Sequence, residues 1–99
     1  MVNDVTAIAF SRRLEVPKDV LVRELEGESV LLNLDSETYF GLDEVGTRMW
    51  QVLTTSPSIA AAYDELLAEY DVTPEVLRQD VETLLSELLD HGLLKLKDG

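Results

Sequence analysis

Between positions 20 and 42 apolar side chains recur with a short period; from position 45 onward the period lengthens to that of a helix. The run Val20-Leu21-Val22-Arg23-Glu24-Leu25 starts with β-branched and aliphatic residues and stops at Glu26-Gly27-Glu28, where Gly27 can take a positive φ. It predicts a first strand. Ser29-Val30-Leu31-Leu32-Asn33-Leu34 predicts a second, with Val30, Leu32 and Leu34 on one face and Ser29, Leu31 and Asn33 on the other. Asp35-Ser36-Glu37 is a polar turn in which Asp35 suits an Asx-type bond back onto the chain. Thr38-Tyr39-Phe40-Gly41-Leu42 predicts a third strand, with Thr38, Phe40 and Leu42 sharing a face. Three strands joined by tight turns make an antiparallel meander.

Asp43 is a good N-cap, and Val45, Met49, Trp50 and Leu53 behind it predict a first helix ending at Thr54. Gly46 inside that helix costs about 1 kcal/mol relative to alanine, so a close backbone contact is expected there. Ser58 caps a second helix carrying Ile59, Ala62, Tyr63, Leu66, Leu67 and Tyr70. Thr73 as N-cap, Pro74 at the first helical position and Glu75 against the dipole open a third. This helix bears Leu77, Val81, Leu84, Leu85, Leu88 and Leu89 and stops at His91-Gly92, where Gly92 fits a left-handed cap. Leu93-Leu94-Lys95-Leu96 reads as a short extended tail. Residues 1–13 show no period and read as a loose N-terminal arm with an extended piece over 7–10; the folded domain spans 14–96. The fold class is α+β: a three-stranded antiparallel sheet followed by three helices, the parts of a winged helix-turn-helix.

The chain has 99 residues, enough for one modest core. Twenty acidic residues against eight basic give a net charge of −12, which argues against nucleic acid and anionic membranes as partners. From Asp64 to Asp90 there are nine acids and one base, Arg78, so a DNA-reading third helix is not expected. The longest apolar run, Ile59-Ala60-Ala61-Ala62-Tyr63, is far short of the roughly 20 residues that span a bilayer. The first residues, Met1-Val2-Asn3-Asp4, lack the basic and apolar regions of a signal peptide, so a cytoplasmic location is the expectation.

The inventory for catalysis is thin. There is no cysteine, and no cofactor or metal is expected. His91 is the one histidine, and it suits a helix C-terminus as imidazolium more than it suits catalysis. The pairs Asp43/Glu44, Asp64/Glu65 and Asp80/Glu82 read as solvated helix surface. Recognition of a peptide or protein remains. The edge of the third strand carries no lysine or proline as a guard, and such edges are templates for strand addition. Either that edge is open to a ligand, or the arm before Pro17 or a second copy covers it. The third helix also has more apolar positions than one stripe needs, so part of its arc either is simply buried or lines a groove.

The stretch from Val30 to Trp50 carries a recognisable pattern. An aliphatic strand (Leu32, Leu34) leads to an acidic turn (Asp35), then Tyr39, Phe40 and Leu42, then Asp43, Gly46 and, four residues on, Trp50. Tyr70-Asp71-Val72, Asp80-Val81 and Leu88-Leu89-Asp90-His91-Gly92-Leu93 follow the same family. Over residues 14–96 the chain resembles the PqqD-like family, the peptide-recognition elements of pathways that modify ribosomally made peptides.

The resemblance implies a non-enzymatic adaptor. It would bind the leader of a precursor peptide as a strand added to the third strand, beside the third helix, and deliver it to a modifying enzyme or leader peptidase. Carried onto this chain, it implies that the backbone of Glu37, Thr38, Tyr39, Phe40 and Gly41 pairs with the leader. Val76, Arg78, Val81, Glu82 and Leu85 would line the groove, while Leu77, Leu84 and Leu88 belong to the core. The acidic turn followed by Tyr-Phe-Gly-Leu looks more like the lasso-peptide or generic branch. Chaperones of pyrroloquinoline quinone and other radical-SAM pathways are the alternative within the family. A structural dimerisation module is the alternative outside it, and the chain is expected as a monomer or a strand-exchanged dimer.

Overall fold

The computed structural model describes residues 9–97. Strand β1 (Arg13–Glu15) is followed by β2 (Val20–Leu25), β3 (Glu28–Asn33) and β4 (Thr38–Leu42), then by helices α1 (Glu44–Thr55), α2 (Ile59–Glu69) and α3 (Pro74–Asp90), and by β5 (Lys95–Lys97). The α+β class and the order of a three-stranded antiparallel sheet followed by three helices match the expectation, and the arrangement is compatible with a winged helix-turn-helix.

The meander has the order β2-β3-β4. Leu25 pairs with Glu28 across a two-residue loop, and Glu26 (φ 55°) and Gly27 (φ 86°) both take left-handed conformations, as a type I′ hairpin turn needs. The next turn is fastened differently from the expectation. The acceptor is Asn33 rather than Asp35: Asn33 Oδ1 accepts from the backbone N–H of Asp35 at 2.9 Å and of Ser36 at 3.3 Å. Asn33 Nδ2 donates to the Gly92 carbonyl at 3.0 Å, tying this turn to the end of α3.

Alternation decides which sheet face is covered. Val20, Ser29, Leu31, Asn33 and Leu42 are buried and point to the helices. Two hydroxyls meet under the sheet, Ser29 Oγ and Thr47 Oγ1 at 2.8 Å, so neither buried polar group lacks a partner. Met49, Trp50, Val52 and Leu53 of α1 complete that layer, whereas Val45 stays 46% exposed. The tight approach at Gly46 involves side chains rather than backbone: a Cβ there would lie 3.1 Å from Leu42 Cδ2 and 3.3 Å from Asp43 Oδ1. Arg48 of α1 reaches α2, pairing with Glu69 through Nε at 2.9 Å and with Glu65 at 3.4 Å.

All three helices carry the expected caps. Asp43, Ser58 and Thr73 accept from the N–H of Gly46, Ala61 and Val76, and Pro74 occupies the first turn of α3. At the far end of α3 Gly92 (φ 71°) donates to the Leu89 carbonyl and Leu93 N–H to the Leu88 carbonyl. That is a Schellman cap, with Leu93 and Leu88 both fully buried beneath it. No helix among the described residues is long and apolar enough to cross a membrane.

The arm departs from the expectation. Residues 1–8 lie outside the described residues, and with them half of the extended piece expected over 7–10. Phe10 sits in a turn closed by Arg12 N–H donating to the Ala9 carbonyl at 3.0 Å. The segment that follows is docked rather than loose. Ala60 N–H donates to the Phe10 carbonyl at 2.7 Å and Ile59 N–H to the Arg12 carbonyl at 3.0 Å. The free N–H groups of the first turn of α2 provide those donors. β1 then pairs antiparallel with β5, Leu14 opposite Leu96, so the expected tail is a strand that ties the two ends of the chain together.

Candidate functional site

β4 has β3 on one side and, among the described residues, no strand on the other. Alternate residues of such an edge turn their N–H and C=O groups outward. Thr38, Phe40 and Leu42 face the helices, and Leu42 is buried while Phe40 is half-buried. Tyr39 and Gly41 face the opposite side, Tyr39 at 75% exposure. Glu37 departs from its expected role. It takes φ 60° and its N–H already donates to the Asn33 carbonyl at 2.8 Å, so it closes the turn and has no N–H left for a ligand.

The Phe40 ring meets the imidazole of His91 at 5.3 Å between centroids, tilted by 55°. His91 is itself pinned, its Nδ1 lying 2.7 Å from the Glu87 carbonyl. Phe40 of β4 therefore meets the C-terminal end of α3 at His91.

This junction fixes which flank of α3 faces β4. At about 100° per residue, Leu84 and His91 lie about 60° and 80° round from Val81 on one side of the buried stripe. Arg78 and Glu82 lie about 60° and 100° round on the other side. Contacts agree. The Arg78 guanidinium sits 4.2 Å over the Phe10 ring and its Nε pairs with Glu82 at 3.3 Å. Phe10 in turn packs edge-on to Tyr63 of α2 at 5.9 Å. Arg78 and Glu82 thus face the docked arm and not the strand edge.

The remaining expected groove residues need correction as well. Val81 and Leu85 are both 0% exposed, at the centre of the stripe with Leu77 and Leu88, and present no surface to a ligand. Leu84, expected in the core, is only half-buried and lies on the β4 flank. Val76 is 48% exposed in the first turn of α3, about 22 Å along the axis from His91. His91 and Leu84 were missed because the helix pattern gives the width of an apolar stripe but not which of its margins meets the sheet.

Exposed carboxylates surround the junction: Asp35 and Glu37 before β4, Glu87 and Asp90 at the end of α3. No group of three metal-ligating side chains occurs among the described residues. A strand edge, an aromatic step and a half-buried leucine beside acids can hold an extended chain with apolar anchors and basic residues.

Known proteins share this fold. A solved structure of TbiB1 in complex with the TbiA(beta) leader peptide superposes with a TM-score of 0.76 at 33% identity, covering 82% of this chain and 94% of that one. A lasso peptide synthetase B1 complexed with the leader peptide has the same fold, with a TM-score of 0.74 at 23% identity over 84% and 98% of the two chains. No curated protein matches the sequence. The profile of Coenzyme PQQ synthesis protein D matches residues 28–94, from the start of β3 to the Schellman cap of α3. That span contains the β4 edge, the Phe40–His91 step and the Asn33–Gly92 bond, and it makes this chain a member of the PqqD family.

Proposed function

We propose that this protein binds the leader of a ribosomally made precursor peptide and delivers it to a modifying enzyme or leader peptidase, without catalysing a step itself. The leader adds as a strand to the open edge of β4 and places apolar anchors beside Phe40, Leu84 and His91. Residues 14–96 carry the function and residues 1–13 precede them. The observation that supports this most is the open β4 edge abutting α3, in a fold shared with a 33%-identical protein solved with a leader peptide on it. Main-chain bonds supply register and the anchors supply most of the affinity. With a net charge of −12, capture of a basic leader is fast at low salt and slows as salt rises.

A lasso peptide synthetase B1 shares the fold, and a lasso-peptide pathway is the reading put first. The family's description favours a second reading, a peptide chaperone of coenzyme PQQ synthesis. Fluorescence anisotropy with labelled leaders of both kinds separates them. Saturable binding of one leader, weakened by Phe40→Ala, supports the adaptor. Absence of binding to either, with a mass that rises with concentration in light scattering, would leave the dimerisation module in its place.

A further inference from the structure

The side of the sheet turned away from the helices is apolar and uncovered. Register puts three rows on it. Leu21, Leu32 and Tyr39 form one, Arg23, Val30 and Gly41 the next, and Leu25 and Glu28 the third. Leu21 is 49% exposed, Leu25 77%, Val30 46% and Tyr39 75%. A monomer gains nothing from four large apolar side chains held in water on one plane, and such patches mark interaction surfaces. The middle row is also hollow. Gly41 has no side chain, and a Cβ placed there would meet nothing within 4 Å. An open depression of about 630 Å³ lies at this point, lined by Arg23, Leu25, Glu28, Val30, Gly41 and Asp43 and reaching Glu24, Ser29 and Leu42 at its margin. It lies on the opposite face of β4 from Phe40 and His91, so a leader placed beside them leaves it free.

Charge selects the occupant. Glu26, Glu28, Asp35, Glu37 and Asp43 are all exposed around this side of the sheet, and Arg23 is the cation within it. A second copy would bring an identical acidic rim against this one. An anionic bilayer would be repelled in the same way. Charge complementarity leaves a protein that offers an apolar projection ringed by lysine or arginine.

We infer that the outer face of β2-β3-β4, centred on Val30 and the Gly41 hollow, is the docking surface for the enzyme that receives the leader, and that this enzyme presents a basic-rimmed apolar projection to it. The inference rests on the adaptor reading above. The face and the leader site share β4 but use opposite sides of it, so one chain holds both partners at once.

The test uses the full chain, its labelled leader, and the purified leader peptidase or modifying enzyme encoded beside the precursor. Leu25→Asp and Glu28→Lys alter exposed side chains away from the leader site. Each is expected to weaken the enzyme at least tenfold while leader affinity stays within twofold of the parent, which also shows that the variants fold. Enzyme binding unchanged in both variants, or absent in the parent, would overturn the inference. So would a parent dimer that Leu25→Asp dissolves, since a second copy would then occupy the face. Loss of leader binding in the parent would remove the adaptor reading instead, and the enzyme titration reports on the face independently.

Discussion

The side-chain amide of Asn33 and the backbone of Gly92 are joined across 59 positions of sequence by a hydrogen bond of 3.0 Å. The same amide organises the turn before β4 through its oxygen, so one residue sets both the start of the strand and its distance from the end of α3. Gly92 cannot take a side chain: its φ is 71°, and a Cβ would lie 2.9 Å from Asn33 Nδ2. Gly92→Ala is expected to cost about 1–2 kcal/mol from the left-handed backbone alone, with the displaced amide adding to it. Asn33→Ala, which leaves the Gly92 carbonyl and two turn N–H groups without their partner, is expected to cost about 1–3 kcal/mol. Urea unfolding should show lower midpoints at unchanged slope. The double variant should cost less than the sum, because the alanine at 33 removes the clash; strict additivity would mean that the two residues are uncoupled.

Val81 lies at 0% exposure in the middle of the α3 stripe, so Val81→Asp is a test of folding and not of binding. A carboxylate placed there has no partner and no water, a penalty of about 4 kcal/mol or more. Against a domain stability of about 5–15 kcal/mol, much of the protein should be unfolded at 37 °C. Circular dichroism melting reads this directly. A melting temperature within a few degrees of the parent would show that the stripe opens to water.

The fold was legible because its signals are local. Thr73-Pro74-Glu75 and Asp43 cap helices wherever they stand, and the change from a period of two to that of a helix marks the end of β4. β1 was not legible, because three residues carry no usable period and exist as a strand only through β5 at the other end of the chain. The site was half legible. The unguarded β4 edge can be read from Thr38 to Leu42 alone. Its opposite wall cannot, because Leu84 and Arg78 are both on margins of the same stripe. Only the tertiary contacts of Phe40 with His91, and of Phe10 with Arg78, say which margin faces which neighbour.

Arg48 and Glu69 join α1 to α2, and the guanidinium hydrogen bond holds the Glu69 carboxyl below its ordinary value of 4.5, while Arg48 is raised. A carboxyl depressed on folding contributes stability above its unfolded pKa and loses it as pH falls through the lower folded value. The pair should therefore help at neutral pH and fade in acid below about pH 4.5. Both groups are solvent-facing, so the contribution is small and screened by salt. A carbon-detected titration of Glu69 should give a midpoint that rises in Arg48→Gln. An unchanged midpoint in that variant would mean that another group holds the carboxyl down.

The opposed flanks of α3 make the leader site testable with two exposed or half-exposed substitutions. Phe40 forms the step between the β4 edge and His91, and truncating it removes an aromatic anchor surface from the leader site. Phe40→Ala is expected to weaken leader binding at least tenfold, about 1.4 kcal/mol or more, while its half-buried position keeps the loss of stability below that of a core aromatic. Arg78→Glu acts on the other flank. It breaks the stacking on Phe10 and sets a second acid beside Glu82, so it should loosen the docked arm and lower the melting temperature slightly. Leader affinity should stay within about twofold of the parent, and the two added negative charges can only quicken the encounter with a basic leader. Anisotropy titrations of both variants with one labelled leader decide the matter. A tenfold loss in Arg78→Glu with Phe40→Ala unchanged would put the leader between α3 and the arm instead of between α3 and β4.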